Sequence, residues 1–517
     1  MIRVSIPLLL VAMAFAGCFG NSSKNDPARD TEGQSLIDLP PGCMPDRLVV
    51  AHRAGGLMVP TPSDVPVACF HRLGTEAVEP TIGIDGAGAV YYYPVDYYIF
   101  AGVHEPRRVV SMARSTDEGG AWQVLTPTVG GVPVHAFSND PAFFVDPVTG
   151  RIFAENTQGP CATMVFSDDS GVTWMPSSGS CLVAERVSLL AGLPVSSSPT
   201  DYPNVVYRCG LSDGRTGQES AAVACQRSLD GGSTWQLPGE PAYEFNPQVL
   251  HDAAALIGEE TCMGGSPRAV TGVDGALYLP RGHCGQPWLA ISRDEAQTWT
   301  RGQVSDLGNP CFDHIEGPIC EVEAGFGIDG NGTLYYLWVA RDDRLPYLVR
   351  SFDGGTTWTS PLMVAAPGLN EVSLVRLAAG GEGRIALAYF GTSTSPGAPF
   401  STSYEDPTYD GTTWDAYMAV SYDAAGDDPM FLTSRMNEDD DPLIRGTCGP
   451  VRCGAVYDFI DLRIAPDGTP WAPFVDGCFE PCERSGTEQR SEALTGRLWG
   501  GPSLWDAADS NGPYPEP

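Results

Sequence analysis

Lysine is almost missing from this chain. The 517 residues hold one, Lys24, and 30 basic residues in all against 64 acidic ones, for a formal net charge of −34. An acidic excess of this size repels phosphate backbones and excludes nucleic acid as a partner. It fits solubility in salty surroundings or attraction of cations. Histidine is also scarce. His52, His71, His104, His135, His251, His283 and His314 stand at no metal-ligand spacing. His314, in Asp313-His-Ile-Glu316, is best read as a loop hydrogen-bonding residue. The spacing Cys478-x-x-x-Cys482 has no histidine pair beside it, which argues against zinc. The run Asn437-Glu-Asp-Asp-Asp441 offers carboxylates to calcium, but lacks the EF-hand spacing and its glycine. Calcium is thus the only cofactor the sequence leaves open. A Gly-rich phosphate loop and a locatable Ser-His-Asp set are both missing. So is any long stretch of helical periodicity.

Turn formers are abundant instead: Gly 60 and Pro 45, with 42% hydrophobic residues. That composition favours short strands joined by many turns and excludes a disordered chain.

The N-terminus reads as an export signal. Met1-Ile2-Arg3 is a short positive start, and Val4 to Ala16 is apolar but too short to span a bilayer comfortably. The run ends in Phe15-Ala16-Gly17-Cys18, which resembles the lipobox of prokaryotic lipoproteins. That resemblance implies a signal peptide over 1–17, lipid on Cys18 and a chain tethered to the outer face of the membrane. Residues 18–40 read as a flexible tether, and 506–517 as a disordered tail. Removing Cys18 from the 15 cysteines leaves an even number. They fall into neighbours: Cys43/Cys69, Cys161/Cys181, Cys209/Cys225, Cys262/Cys284, Cys311/Cys320, Cys448/Cys453 and Cys478/Cys482. Seven local disulfides in an oxidising compartment are expected.

One motif recurs. Its copies are Ser115-Thr-Asp117-Glu-Gly119-Gly-Ala-Trp122, Ser167-Asp-Asp169-Ser-Gly171-Val-Thr-Trp174 and Ser228-Leu-Asp230-Gly-Gly232-Ser-Thr-Trp235. A looser copy runs from Ser292 through Asp294 to Trp299, and Ser351-Phe-Asp353-Gly-Gly355-Thr-Thr-Trp358 follows. A decayed one begins Ser421-Tyr-Asp423. The serines lie 52, 61, 64, 59 and 70 residues apart, a period that suits one four-stranded blade each. Asp accepts backbone N–H groups two residues on, Gly supplies a positive φ, and Trp pins the turn to its blade. Asp117, Asp169, Asp230, Asp294 and Asp353 are therefore read as structural.

These copies resemble the Asp boxes, or bacterial neuraminidase repeats, of sialidase-like β-propellers. The resemblance covers about residues 75–505 and implies an all-β propeller domain over 41–505. A second hairpin pattern, apolar-Asp-Gly-x-x-Tyr, interleaves with the first. It appears at Ile84-Asp85-Gly86, Val145-Asp146, Val273-Asp274-Gly275 and Ile328-Asp329-Gly330, with weaker forms at Ala378 and Ile464. Asn204-Val-Val-Tyr207 looks like the second strand of another. Seven hairpins against six box positions favour seven blades, with six the alternative.

Propellers hold ligands over the central channel, at the starts of the innermost strands. Counting back five residues from each turn-entry apolar residue reaches Glu79, Asp140, Arg268, Ser373, Glu323 and Phe459, with Asp461 on the same face as Phe459. The third hairpin gives Glu185 or Arg186. Glu79, Asp140, Glu323 and Asp461 are the candidate acids and bases; Arg186 and Arg268 are the candidate substrate clamps. Sialidases use an arginine triad, a Tyr–Glu nucleophile pair and an Asp acid, but the match fails here at a key point and no triad is assigned. The family's Arg-Ile-Pro of the first inner strand is replaced by Glu79-Pro80-Thr81-Ile82, Arg463 lies beside the ring, and Tyr457 stands where the family's tyrosine does. Two readings follow: a monomeric extracellular glycosidase of sialidase type, or a non-catalytic propeller that binds a glycan or another small polar ligand.

Overall fold

The structure is a computed structural model. It describes residues 39–44, 47–75, 77–95, 112–133, 140–158, 161–179, 183, 185–197, 200–211, 222–243, 268–283, 285–310, 312–314, 317–319, 324–394, 412–445, 460–477 and 491–505.

Seven antiparallel sheets form the blades of a β-propeller. Blade 1 comprises Val78–Ile84, Val90–Val95, Met112–Ser115 and Gln123–Leu125, from axis to rim. Blade 2 comprises Ala142–Val145, Ile152–Gln158, Cys161–Ser167 and Met175–Pro176. In blade 3, Glu185–Gly192, Val205–Leu211 and Val223–Ser228 are joined at the rim by a bridge from Val223 to Tyr243. Blade 4 is Val270–Thr271, Leu277–His283, Gln286–Ser292 and Thr300–Gln303. Gly325–Ile328, Leu334–Val339, Pro346–Ser351 and Leu362–Met363 make blade 5. Blade 6 is Glu371–Ala379, Ile385–Thr392, Thr413–Ser421 and Met430–Arg435, widened at its rim by Val50–Arg53 and Leu57–Met58. Blade 7 takes Arg463–Ile464, Pro470–Asp476 and Glu492–Trp499 from the end of the chain and Val67–Arg72 from its beginning, which closes the ring.

Strand sequences show why the blades stack. Leu334–Val339, Leu-Tyr-Tyr-Leu-Trp-Val, is buried along its whole length. Tyr335 and Leu337 pack with blade 6 residues such as Leu387 and Tyr389, whereas Tyr336 and Trp338 pack with blade 4 residues such as Tyr278 and Leu289. Period-two alternation thus serves two apolar neighbours rather than a core and solvent.

The recurring turns close the third strand onto the fourth. In the fifth copy Ser351 Oγ donates to Asp353 Oδ1 at 2.8 Å and accepts from Gly355 N–H at 2.8 Å. Asp353 accepts from the N–H of Thr357 at 2.9 Å and from its hydroxyl at 2.7 Å. The expected donor two residues on is therefore replaced by one four residues on. Ser228/Asp230/Gly232/Thr234 repeats the same bonds. Gly355 has φ 90°, and the looser fourth copy forces Ala296 to φ 63° at the same place. The tryptophans reach further than their own blade. Trp235 Nε1 donates to Ser177 Oγ at 2.9 Å and Trp299 Nε1 to Glu240 O at 3.1 Å, each joining a turn to the blade before it. Blade 7 has no such turn because its third and fourth strands come from opposite ends of the chain.

Two expected disulfides, Cys43–Cys69 and Cys209–Cys225, are present. The other pairs include residues outside the described ones, as do Cys18 and residues 506–517.

Candidate functional site

The inner strands run from the channel mouth to their hairpin turns, and the register fixes where each charge falls. Arg268 lies three residues before Thr271, the last paired residue of its strand, which faces Leu277. Val273, the residue counted from in the sequence, is 88% exposed at the loop tip, so the turn begins earlier than expected. Arg376 lies three before Ala379, which faces Ile385, and Asp461 three before Ile464, which faces Pro470. These three residues form one tier. Asp140 lies five before Val145, and Glu79 five before Ile84. Asp140 thus stands nearer the mouth, and so does Glu79, by less than a regular count gives because it lies within the slip between Val78 and Thr81. Arg463 follows Asp461 on the same strand face.

Regular counting fails where strands bulge. The ladder slips between Val78 and Thr81, between Glu185 and Ser188, and between Ser373 and Arg376. A bulge inserts one residue and reverses the face of everything before it. Glu79 (φ 49°) and Leu374 (φ 55°) carry the left-handed backbone of two of these bulges. In blade 6 the count began at Ala378, one residue short of the turn-entry residue Ala379, and so fell on Ser373 beyond the slip rather than on Arg376. The available signal was the lone arginine in the otherwise apolar Leu374-Val-Arg-Leu-Ala378.

A cavity of about 220 Å3 lies on the axis, lined by the inner strands of blades 2 to 7. Phe144, Leu189, Phe326 and Leu377 supply apolar wall; Arg268, Arg376, Asp461 and Arg463 supply its charge. Arg376 and Asp461 are buried and Arg268 and Arg463 half-buried. Asp461 Oδ1 accepts from Leu462 N–H at 2.9 Å and from Arg463 Nη1 at 2.9 Å. Its Oδ2 accepts from Ile82 N–H at 3.4 Å, which ties blade 7 to blade 1. Arg376 Nη1 donates to Val375 O at 2.9 Å.

Electrostatics connect the two tiers. Burial pulls the Arg268 guanidinium below its ordinary value, and the carboxylates of Asp461, Asp140 and Glu79 pull it back up. Burial holds Arg376 well below the ordinary arginine value; Arg268 and Arg463 push the same way, and Asp461 opposes them. Arginine stays protonated through such shifts, so the cavity keeps three guanidiniums. They can grip an oxyanion through paired hydrogen bonds, and the buried Glu79 and Asp140 can accept from hydroxyls or ammonium groups or exchange protons.

Four of the six expected ligand residues, Glu79, Asp140, Arg268 and Asp461, are thus brought together. Glu323, Tyr457 and Phe459 lie outside the described residues, as do the side chains of Arg186 and His314. The five repeat aspartates lie in the turns after the third strands, not in this tier. Glu438 and Asp441 of the acidic run accept from Arg72 Nη2 at 3.3 and 2.7 Å. Among the described residues no group of three His, Cys, Asp or Glu is arranged to hold a metal ion.

No known protein family and no curated protein matches the sequence. Solved structures resemble it in fold alone. A leech intramolecular trans-sialidase is 14% identical, with 83% of this chain and 69% of that one covered and a TM-score of 0.38. The xyloglucanase of Xanthomonas campestris is 16% identical over 91% of this chain and 70% of its own, with a TM-score of 0.40. A protein of unknown function from Dyadobacter fermentans is 13% identical over 84% and 99%, with a TM-score of 0.39.

Proposed function

We propose that this chain is a monomeric cell-surface propeller that recognises the terminal sugar of a glycan in its axial cavity, through a carboxylate on that sugar. One observation carries the reading: charged side chains from the inner strands of blades 4, 6 and 7 line one cavity, with Glu79 and Asp140 of blades 1 and 2 acting on Arg268 from beside it, where a buried strand normally excludes charge. Arg268, Arg376 and Arg463 bind the carboxylate. Glu79 and Asp140 accept from ring hydroxyls. The test is binding of the purified protein to arrayed glycans, followed by titration of the strongest. Acid-terminated glycans should bind, and Arg268→Ala should abolish binding. Retention only of neutral glycans, or of none, would overturn the reading.

Hydrolysis is the second reading. It is favoured by two buried carboxylates, Glu79 and Asp140, that act on the same guanidinium. Exo-glycosidases work with such a pair, one member as acid and one as base or nucleophile. Release of fluorophore from a panel of glycosides, lost in Asp140→Asn, supports it; binding without turnover leaves a lectin-like propeller. Export and a lipid on Cys18 would put the site outside the cell, and the intact mass of the membrane fraction tests that placement.

A further inference from the structure

We propose that the face of the propeller formed by the turns of blades 2 to 5 rests on the membrane that holds the chain, which turns the strand-start end of the channel outward. The inference rests on the tethered reading of the N-terminus and adds how the propeller sits on its anchor.

Strands alternate in direction within each blade. The hairpins between first and second strands and the recurring turns between third and fourth strands therefore share one face, opposite the strand starts that carry Glu79 and Asp140. That face presents Val148, Val172, Leu193, Val195, Val273 and Phe352, each between 40% and 88% exposed, where turns ordinarily place polar residues. They form a continuous arc. Tyr202 of the blade 3 turn donates to Asp146 Oδ2 of the blade 2 turn at 2.7 Å. Val195 lies so close to the blade 4 turn that a Cβ on Gly275 would meet its Cγ1 at 2.6 Å. Arg293 of blade 4 donates to Asp274 at 2.9 Å and lies 3.8 Å from where a Cβ on Gly354 would stand, two residues from Phe352.

The chain enters on this same face. A Cβ on Gly120, in the recurring turn of blade 1, would meet Pro41 Cγ at 3.0 Å, and Phe70 N–H donates to Gly42 O at 3.0 Å. A tether of the length of 18–40 reaches about 25 Å by linker scaling, so a lipid on Cys18 keeps the turn face next to the bilayer. Exposed apolar side chains held there sink into the headgroup boundary. Asp169 and Asp353 stand exposed beside Val172 and Phe352. The head groups that fit them carry ammonium groups, as in zwitterionic phospholipids, whereas anionic lipid repels them.

The test places the full chain in phosphatidylcholine vesicles whose acyl chains carry bromine, a quencher of tryptophan within the hydrocarbon. Val273→Trp and Phe352→Trp mark the turn face. Asp342→Trp, exposed in the blade 5 turn between Val339 and Pro346, marks the opposite one. Emission added over the wild type by the first two should fall about twofold or more against unbrominated vesicles, and that added by Asp342→Trp should not change. The quenching should weaken when phosphatidylglycerol replaces part of the lipid. Equal quenching at all three positions, quenching at none, or quenching that grows with phosphatidylglycerol overturns the proposal. In each case the intact mass still reports lipid on Cys18, which separates failure of the orientation from failure of the anchor. Unquenched, blue-shifted emission from both turn-face positions with a doubled mass in solution also overturns it, in favour of contact between two copies.

Discussion

Acid should loosen this ring at its closing seam, through His71. The residue lies on Val67–Arg72, the strand that the start of the chain contributes to blade 7. It is buried, stacks on Trp471 with centroids 6.2 Å apart, and Nε2 has no hydrogen-bond partner among the described residues. Burial and the Arg497 charge lower its pKa to about 4, against a pull upward from Asp117. The unfolded chain keeps the ordinary value near 6.5. Between those values the unfolded state binds the extra proton, so stability falls as pH drops through 6.5 and levels off below about 4. At pH 5 the loss from this one group is about 2 kcal/mol, from 1.36 kcal/mol per pH unit. His283, also lowered to about 4 by burial and by Arg281 and Arg301, adds a similar loss in blade 4. Urea denaturation of the wild type and His71→Gln at pH 7 and pH 5 measures it. The variant should be less stable at pH 7 and show a pH dependence about 2 kcal/mol shallower. An identical pH dependence in both proteins would refute a neutral, buried His71.

Other consequences concern the blades and their seams. Gly355→Val should lower stability by roughly 1–3 kcal/mol, because φ 90° opposes a β-branched side chain and the new Cβ meets Ile291 Cδ1 at 3.2 Å. Asp353→Ala should lower Tm by opening the same turn, and both variants should keep ligand affinity, read by thermal melts and titration side by side. Glu155→Ala leaves Arg208 of blade 3 fully buried without its carboxylate, so chemical denaturation should register a loss of about 3–5 kcal/mol. Cys43→Ser with Cys69→Ser frees the segment that precedes the closing strand and should lower stability by about 3 kcal/mol, read by chemical denaturation beside the wild type.

Much of this architecture was legible before any coordinates. The Ser-x-Asp-x-Gly turns and the Asp-Gly hairpins are local chemistry, set by residues a few positions apart, and their count led to seven blades. The mismatch of seven hairpins and six turns has a topological cause: the seventh third-to-fourth strand connection does not exist, because Val67–Arg72 closes blade 7. The axial site was legible only in part. Asp140 and Asp461 follow from period-two counting in regular strands. Arg376 was missed because the count began at Ala378, one residue before the last paired residue Ala379, and a one-residue error changes the strand face. Arg268 was reached by counting from Val273, although the strand ends at Thr271; the two-residue error preserved the strand face and so did no harm. The reach of Trp235 and Trp299 into preceding blades is likewise a long-range contact that no local pattern specifies.

The central claim is that the arginines of the axial cavity hold the carboxylate of a glycan. Calorimetric titration of the strongest acid-terminated glycan against wild type, Arg376→Ala and Asp353→Ala tests it most directly. Arg376→Ala should weaken binding at least a hundredfold, and Asp353→Ala should leave it within twofold at a temperature where both are folded. Undiminished binding to Arg376→Ala would place the ligand somewhere other than this cavity and contradict the account.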